Sequence, residues 1–378
     1  MINDDEREVG NDNLKSNKKI RVIDYGYCNY LDSQAIYHAI AHSFNENSSD
    51  TLILISPIET YACIGYFQDL EKEIDIDFCN KNNIPVLRRE VGGGAVLLDK
   101  NQLFFQFIFS KNRITRDVNL IYQIFLETAV NTYKKFGLNV YHRPINDLQI
   151  EGRKIGGTGA VEIGNSIVVV GSFMFDFNYD LMSKILKVPS EKFRDKLYQN
   201  MHDYVTNIKR EFANLNKPAP EREEIKSAFL EEVSKKFNAY IEFANSLEKN
   251  ELEKLDEIRK KLSDKDWLYK KGKFVDRRVK ISSNVNIYEG NYKSPGGLIR
   301  VTLTKKDNKI ADVEITGDFT MIPSDALNYI EDSLKDTAID YDILNSKITN
   351  LYEKLKIQSP GVNPSDFTEA IKNILEKS

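Results

Sequence analysis

The stretch NDLQIEGRKIGGTGAVEIGNSIVVVGSFMFDF, residues 146–177, alternates apolar and polar side chains through three strand-like pieces. The pieces are separated by Glu151-Gly152 and by Gly164-Asn165, and such pairs are typical of tight hairpin turns. Three strands joined by two short turns form an antiparallel meander. We therefore expect a largely antiparallel sheet around this stretch.

The segments before the meander also show strand and helix patterns. Leu103–Ser110 is short, aromatic and continuously apolar, which predicts a strand buried on both faces. Residues 117–136 carry apolar side chains at helical spacing, and Gly137 provides a stop signal. Residues 51–67 are interpreted as a pair of strands around Pro57.

The character of the chain changes after residue 218. Helical patterns rich in Lys and Glu cover residues 221–237 and 246–262, and a compact piece with strands and helices follows. We predict the α+β class: a mixed, largely antiparallel sheet packed with helices, and a small C-terminal α+β accessory domain. The expected limits are 1–19 for a disordered polar tail, 20–265 for the large domain, 266–283 for a linker and 284–378 for the small domain.

Composition excludes several classes of protein. The 378 residues carry a formal net charge of −4, so no global basic field indicates nucleic-acid binding. The three cysteines, Cys28, Cys63 and Cys79, form no CxxC pair, which argues against a disulfide scaffold or a zinc ribbon and fits a reducing cytosol. No apolar run reaches the roughly 20 residues that cross a bilayer. We expect a cytoplasmic protein that binds neither membranes nor nucleic acid.

The segment RREVGGGAVLLD, Arg88–Asp99, places two arginines before three consecutive glycines. It is neither a GxxxxGK[ST] loop nor a GxGxxG fingerprint, because Leu97 stands where the last glycine is needed. Bare backbone N–H groups beside Arg88 and Arg89 could form a nest for phosphate or carboxylate oxygens. A surface hairpin tip with solvated arginines is the alternative.

A second candidate is EGRKIGGTGA, residues 151–160. Lys154 follows a hairpin turn and precedes three glycines and Thr158, so it could stabilise phosphoryl charge, or it could be a solvated surface lysine. Asp147 could take Mg²⁺, orient the lysine or cap a strand. His38 and His42 lie four residues apart without the glutamate of HExxH, and we interpret them as structural.

Taken together and in this order, the motifs resemble the lipoate–protein ligase family. Its RRxxGGGAVxHD segment is matched by Arg88–Val96 and Asp99, and its ND…GRKxxG segment by Asn146-Asp147 and Gly152–Gly156. Two weaker matches to family motifs are VTN at residues 205–207 and IGYFQD at residues 64–69. The resemblance covers roughly residues 20–237, and the small C-terminal domain resembles the accessory domain of the family.

The resemblance implies an α/β catalytic domain shared with biotin ligases and octanoyltransferases, and a two-step reaction. Lipoate reacts with ATP to give lipoyl-AMP, and the lipoyl group then passes to a lysine of a lipoyl carrier domain. The implied carriers are a 2-oxoacid dehydrogenase E2 or a glycine-cleavage H-type protein. Lys154 is the implied catalytic residue, Mg²⁺ accompanies ATP, and Asp147 is the expected metal contact.

The resemblance also implies where the substrates bind. The acyl chain is expected to run over Val91, Leu97 and residues 169–171. The expected substrate- and ATP-binding residues are Arg88, Arg89, Val91, Gly92, Gly93, Gly94, Ala95, Leu98, Asn146, Asp147, Gly157, Thr158, Gly171 and Ser172.

Departures from the family pattern bear on specificity and on the alternatives. Leu98 stands where the family usually has a histidine. Octanoyltransferases and lipoyl amidotransferases of this superfamily form a thioester on a cysteine beyond the lysine motif, whereas this chain has no cysteine after Cys79. The biotin-ligase loop GRGRxGR is also absent. A lipoyltransferase that uses preformed lipoyl-AMP and a non-catalytic acyl- or carrier-binding homologue remain as alternatives, and ATP dependence separates the first of these from a ligase.

Overall fold

A computed structural model describes residues 19–272 and 286–375. The predicted tail over 1–19 therefore lies outside the described residues except for Lys19, which begins the first strand. The predicted linker over 266–283 is described only as far as Gly272. The domain limits stay predictions. None of the described helices is long and apolar enough to cross a bilayer.

The framework is an eight-stranded sheet of mixed direction. Its members are β1 (Lys19–Cys28), β2 (Thr51–Pro57), β6 (Gln102–Ser110), β7 (Tyr141–Arg143), β8 (Asp147–Ile150), β9 (Arg153–Ile163), β10 (Ser166–Met174) and β11 (Tyr240–Phe243). They lie in the order β11-β1-β2-β6-β10-β9-β8-β7. Strand β1 runs parallel to β2 and β11, and every other pair is antiparallel. The predicted fold class and the meander β8-β9-β10 are confirmed.

The meander follows from its turn residues. Glu151 and Gly152 both have positive φ, 48° and 79°, as does Gly164 at 56°, and such turns match the twist of antiparallel hairpins. Strand β6 lies in the middle of the sheet between β2 and β10, and its side chains are buried on both faces, as its apolar run predicts.

Helices cover both faces of this sheet. One face packs against α4 (Val118–Lys135) and α8 (Arg222–Phe237) through a cluster that includes Phe107 and Phe125. The other face packs against α1 (Tyr30–Ser43) and α9 (Lys249–Ser263). The predicted helix over 117–136 is confirmed as α4, which the Asp117 carboxylate caps by accepting bonds from the first-turn N–H groups. The remaining helices of this part are α2 (Leu70–Glu73), α3 (Ile76–Lys81), α5 (Tyr179–Ile185), α6 (Glu191–Tyr204), α7 (Ile208–Asn214) and α10 (Lys265–Leu268).

The predicted pairing of two strands around Pro57 is wrong. Strand β2 is flanked on both edges by β1 and β6, so it has no free edge for the strand that follows it. That strand, β3 (Tyr61–Ile64), instead forms a small separate sheet with β4 (Val86–Arg88) and β5 (Val96–Leu98). The connection from β4 to β5 is the glycine-rich loop, so this small sheet fixes both ends of the loop.

The C-terminal part has its own sheet and its own apolar core. Its elements are β12 (Asn286–Ser294), β13 (Gly297–Lys306), β14 (Lys309–Gly317), α11 (Ala326–Leu334), α12 (Tyr341–Leu355) and α13 (Pro364–Leu375). The hairpin turn between β13 and β14 lies at Asp307-Asn308, and both residues have positive φ. The predicted combination of strands and helices in this part is confirmed. Backbone contacts at Phe67 and Gly93 join this part to the rest of the chain.

Candidate functional site

A cavity of about 330 Å³ lies against one face of the large sheet, below α1 and beside the glycine-rich loop. Most of the predicted site residues line it: Arg89, Val91, Gly93, Gly94, Ala95, Leu98, Asn146, Lys154, Gly157, Thr158, Gly171 and Ser172. Arg88, Gly92 and Asp147 do not line it. The structure thus gathers two motifs that are more than 40 residues apart into one cavity. The roles of these residues in binding and catalysis stay predictions.

Lys154 reaches the cavity because β9 contains a β-bulge. Leu148 pairs with Gly156 and Gln149 pairs with Lys154, so Ile155 has no partner on β8. The extra residue reverses the alternation of side chains, and Lys154 therefore lies on the same side as Gly157, three positions later. A Cβ atom on Gly157 would stand 3.1 Å from the Lys154 Cε atom and 3.2 Å from Nζ. The glycine thus leaves room for the lysine side chain to lie along the strand.

The Lys154 ammonium is held at the cavity rim by a carboxylate. Its Nζ lies 2.6 Å from Oδ1 of Asp147, and the exposed fractions of the two side chains are 40% and 28%. Asp147 stands outside the cavity wall, so its first role in this geometry is to orient the lysine. Water still reaches both groups, so the ion pair contributes at most about 1 kcal/mol to stability.

Asn146 and Thr158 fix the cavity wall between β8 and β9. The Asn146 amide donates to the Thr158 carbonyl at 2.6 Å, and the Thr158 hydroxyl donates to the Asn146 carbonyl at 2.7 Å. The Thr158 N–H donates to the same carbonyl at 3.2 Å. These reciprocal bonds keep the cavity edge beside Lys154 in one shape.

Arg89 lines the cavity and also closes the glycine-rich loop on itself. Its Nη2 donates to the carbonyls of Gly92 and Gly94 at 2.9 and 2.8 Å, and its Nη1 donates to the Cys63 carbonyl at 3.2 Å. Gly93 has a φ of 91°, a backbone conformation that favours glycine. The guanidinium therefore shapes the loop and brings positive charge to the cavity.

Arg88 has a different place from the one predicted. Its side chain is fully buried and donates to the backbone carbonyls of Gly65, Tyr66, Gln68, Trp267 and Leu268. Burial lowers the pKa of its guanidinium to about 10, so it stays charged at neutral pH. The prediction of a substrate contact is corrected: Arg88 organises backbone. Strand alternation was the available signal, because neighbouring side chains of a strand point to opposite faces.

Gly92 lies in close contact with the C-terminal part of the protein. A Cβ atom there would stand 2.6 Å from the Phe319 carbonyl oxygen of the C-terminal part. The Gly93 N–H donates to that same oxygen at 3.1 Å, so it is not free to join an anion nest. Gly94 is the least crowded of the three, since its nearest neighbour would be Asp318 Cβ at 3.8 Å. Gly92 is among the predicted substrate- and ATP-binding residues, but the structure places it against the C-terminal part and outside the cavity lining.

The walls of the cavity include residues that sequence reasoning missed. Tyr37 on α1 donates to the Gln34 side chain at 3.0 Å, and Gln102 on β6 donates to the Leu97 carbonyl at 2.9 Å. Further unpredicted members are Val96, Phe104, Gln106, Gly159, Met174, Phe177, Met182, Met201 and Val205. On β10, Val170 lines the cavity, while Val169 packs into the core on the other face. Every second side chain of β6 points to the same face of the sheet, and this alternation could have indicated that Gln102 and Gln106 line the cavity together with Phe104.

A buried histidine supports the back of the glycine-rich loop. The Glu90 N–H donates to Nε2 of His38 at 3.1 Å, and Nδ1 of His38 lies 2.7 Å from the Gln34 carbonyl. This arrangement requires a neutral ring with its proton on Nδ1. Burial lowers the pKa of His38 to about 4. His38 therefore has a structural place behind the loop. Among the described residues no group of three or more His, Cys, Asp or Glu that could hold a metal ion was found.

The low pKa of His38 predicts a dependence of stability on pH. The unfolded chain binds a proton at this histidine near pH 6.5, whereas the folded chain does so only near pH 4. The contribution of neutral His38 to the free energy of unfolding is therefore fully present above pH 6.5 and is lost as the pH falls below it. Between pH 7 and pH 5 the free energy of unfolding should decrease by about 2 kcal/mol from this group, as measured by urea unfolding.

A His38→Gln variant should lose this part of the pH dependence. His202→Gln is the matched control, because the His202 side chain is 45% exposed. An unchanged dependence in His38→Gln would contradict the assignment of the effect to His38.

Two family models match the chain. "Lipoyl protein ligase A/B catalytic domain" matches residues 29–234, which is more than half of the chain, and "Bacterial lipoate protein ligase C-terminus" matches residues 285–371. The first range contains both motifs of the cavity. The strand and helices between the two ranges, from residue 240 to 268, belong to neither model.

Relatives include the two subunits of lipoate-protein ligase A of Thermoplasma acidophilum. Subunit 1 is 33% identical over 156 residues, which are 38% of this chain and 58% of that protein. Subunit 2 is 42% identical over 88 residues, 23% of this chain and 90% of that protein. The solved bi-partite lipoate protein ligase of this organism, described with its E2 lipoyl domain, is 26% identical with a TM-score of 0.60 and covers 66% of this chain and 96% of that one.

Two further proteins mark the functional range of the relatives. Octanoyltransferase LipM of Geobacillus kaustophilus is 25% identical over 278 residues, covering 66% of this chain and 98% of that protein. The solved lipoate-protein ligase A bound with ATP shares the fold, with 24% identity, a TM-score of 0.57 and coverage of 66% and 98%. With its two family models in order and its motifs gathered at one cavity, the chain belongs to the lipoate–protein ligase family.

Proposed function

We propose that this protein is an ATP-dependent lipoate–protein ligase. In the first step a carboxylate oxygen of lipoate attacks the α-phosphorus of ATP, and pyrophosphate leaves with the electron pair of the broken P–O bond. In the second step the neutral amine of a carrier lysine attacks the acyl carbonyl of lipoyl-AMP. An amide forms, AMP leaves, and the amine loses a proton.

The observation that carries this proposal is the position of Lys154 at the rim of an apolar-walled cavity. The volume of about 330 Å³ is within the range of small-molecule sites. Leu97, Leu98 and Phe104 are among the apolar side chains of its walls, and such walls suit an acyl chain. The cationic Lys154 and Arg89 both line this cavity, and two positive charges there support a site in which a carboxylate meets a phosphate.

The chemistry of the first step explains why cations are needed there. A carboxylate and a triphosphate repel each other, and the transition state gathers their negative charges at one point. Lys154 Nζ can interact with both the acyl oxygen and the α-phosphate, and Asp147 holds the ammonium in place before substrates arrive. Arg89 adds a second positive charge on the loop side.

Mg²⁺ fits this site only as a metal bound mainly by phosphate and water. Asp147 is the carboxylate nearest to Lys154, and Mg²⁺ commonly takes one or two carboxylates together with substrate phosphates. The metal would neutralise phosphate charge, and Asp147 would then divide its oxygens between the metal and Lys154.

The acceptor is proposed to be a small lipoyl carrier domain. A related bi-partite ligase is described together with its E2 lipoyl domain, which supports a carrier of this kind. Lipoyl domains of 2-oxoacid dehydrogenases and H-type proteins are therefore the carriers to test.

A thioester mechanism lacks its nucleophile in this chain. The three cysteines precede residue 80, all are buried, and none lines the cavity. Burial raises the pKa of the Cys28 and Cys79 thiols to about 12 and about 11, so neither is a reactive thiolate at neutral pH. A lipoyltransferase that uses preformed lipoyl-AMP keeps Lys154 and is the second candidate.

Incubation with ATP, Mg²⁺, lipoate and an apo lipoyl domain tests the proposal. We expect release of pyrophosphate and a lipoyl mass increase on the carrier, both of which stop without ATP. Transfer from synthetic lipoyl-AMP without any ATP-dependent transfer would overturn the ligase and support the transferase. Loss of both reactions would support a non-catalytic homologue.

A further inference from the structure

Helices α9 and α10 form a strap, residues 249–271, behind the glycine-rich loop. This strap lies between the ranges of the two family models, so neither model assigns it a role. It packs along α1 through α9, where Arg259 Nε lies 2.7 Å from Oδ1 of Asp32. Its C-terminal half then reaches the loop.

Trp267 and Arg88 bind each other's backbone across this contact. The indole Nε1–H of Trp267 donates to the Arg88 carbonyl at 2.8 Å, and Nε of Arg88 donates to the Trp267 carbonyl at 3.1 Å. Nη2 of Arg88 donates to the Leu268 carbonyl at 2.8 Å. Arg88, the first residue of the loop motif, therefore both donates hydrogen bonds to the strap and accepts one from it.

Lys261 makes a second connection two residues further along the loop. Its Nζ lies 2.5 Å from Oε1 of Glu90 and 4.2 Å from the centre of the Trp267 ring, a cation–π distance. The Glu90 side chain is only 10% exposed and also accepts from Nε2 of His42 at 2.9 Å. Burial alone raises the pKa of the Glu90 carboxyl, but His42 and Lys261 outweigh it, so the carboxyl stays charged.

Successive side chains of the loop face the strap and the cavity in turn. Arg88 and Glu90 face the strap, whereas Arg89 and Val91 line the cavity. A glycine-rich backbone has little stiffness of its own. Contacts on one side of it therefore decide where the side chains of the other side stand.

We propose that Lys261 and Trp267 are positioning residues that hold the loop in its substrate-binding shape. They act through Glu90 and the Arg88 backbone, and they set the affinity of the cavity for the acyl acid without touching it. This inference rests on the proposed function, because lipoate is taken as the acid. It adds a determinant of affinity that lies outside both family models.

The test compares four variants for pyrophosphate release with lipoate and ATP. Lys261→Met removes the charge that pairs with Glu90, and Trp267→Phe removes only the indole donor. Each should raise KM for lipoate about fivefold, as expected for the loss of one buried polar contact, with kcat within twofold of the wild type. Lys261→Arg should retain the wild-type KM, because it keeps the pair with Glu90.

Arg259→Gln is the matched control, since it loosens the same strap at α1 and not at the loop. Trp267 is the single tryptophan of the chain, so its emission reports whether the strap stays packed in the Lys261 and Arg259 variants. An unchanged KM in both Lys261→Met and Trp267→Phe overturns the proposal. So does an equal rise of KM in Arg259→Gln.

Lipoate binding measured by calorimetry separates this inference from the proposed function. A wild type that releases no pyrophosphate contradicts the ligase, yet weaker lipoate binding in Lys261→Met and Trp267→Phe would still support the positioning role. An active wild type whose variants bind lipoate as tightly as it does contradicts the positioning role alone.

Discussion

Replacement of Lys154 by alanine is expected to reduce lipoyl-AMP formation by a factor of about 10²–10³, the loss seen when one preorganised charge stabiliser is removed. Lys154 is the cation that the β-bulge turns into the cavity and that Asp147 holds at 2.6 Å. Arg89 cannot replace it, because its Nη1 and Nη2 groups already bind carbonyls of Cys63 and the loop. Pyrophosphate release in single-turnover experiments measures the effect.

The Lys154→Ala protein should remain folded, because the lost ion pair is solvent-exposed and contributes little. Its Tm should therefore stay within a few degrees of the wild type. Lys209→Ala is the matched control: Lys209 is also paired with an aspartate, Asp176, but its side chain is 73% exposed and does not line the cavity. Full adenylation activity in Lys154→Ala would show that the lysine has been assigned wrongly.

The Gly65→Ala substitution is expected to cause the largest loss of stability. An added Cβ would stand 1.9 Å from the Gly93 carbonyl oxygen and 3.2 Å from the Gly92 carbonyl carbon. Both neighbours are backbone, so no side chain can rotate away, and the glycine-rich loop has to move. Such overpacking costs about 3 kcal/mol, which corresponds to a decrease in Tm of roughly 5–10 °C.

Lipoate binding should be lost together with stability in Gly65→Ala. The loop that has to move contains Arg89 and Val91, which line the cavity. Thermal unfolding and calorimetric titration with lipoate measure the two effects. Gly94→Ala provides the comparison for stability, since its Cβ would meet only Asp318 at 3.8 Å. Equal Tm values for the two variants would contradict the packing argument.

The parts of the fold that the sequence predicts correctly are those with local signals. The meander of β8, β9 and β10 follows from alternating side chains and two glycine turns, and α4 follows from its apolar stripe and the stop signal at Gly137. The gathering of the two motifs at one cavity could be predicted only from their resemblance to a family. The spacing of the arginines and glycines alone is compatible with either a ligand site or a surface hairpin.

The parts that were missed depend on contacts between distant segments. Nothing near Pro57 shows that both edges of β2 are occupied by β1 and β6. The crowding at Gly92 comes from Phe319, more than 200 residues later. The bulge at Ile155 inverts the alternation that a strand pattern assumes. Local periodicity contains no information about such neighbours.

The bond between the Gly93 N–H and the Phe319 carbonyl has a consequence for how the protein responds to dilution. Both groups belong to one covalent chain, so they meet at a high effective concentration that does not depend on the amount of protein in solution. In a ligase divided into two subunits, a contact between the subunits forms only above their dissociation constant. The specific activity of this single chain should therefore be the same at nanomolar and micromolar protein.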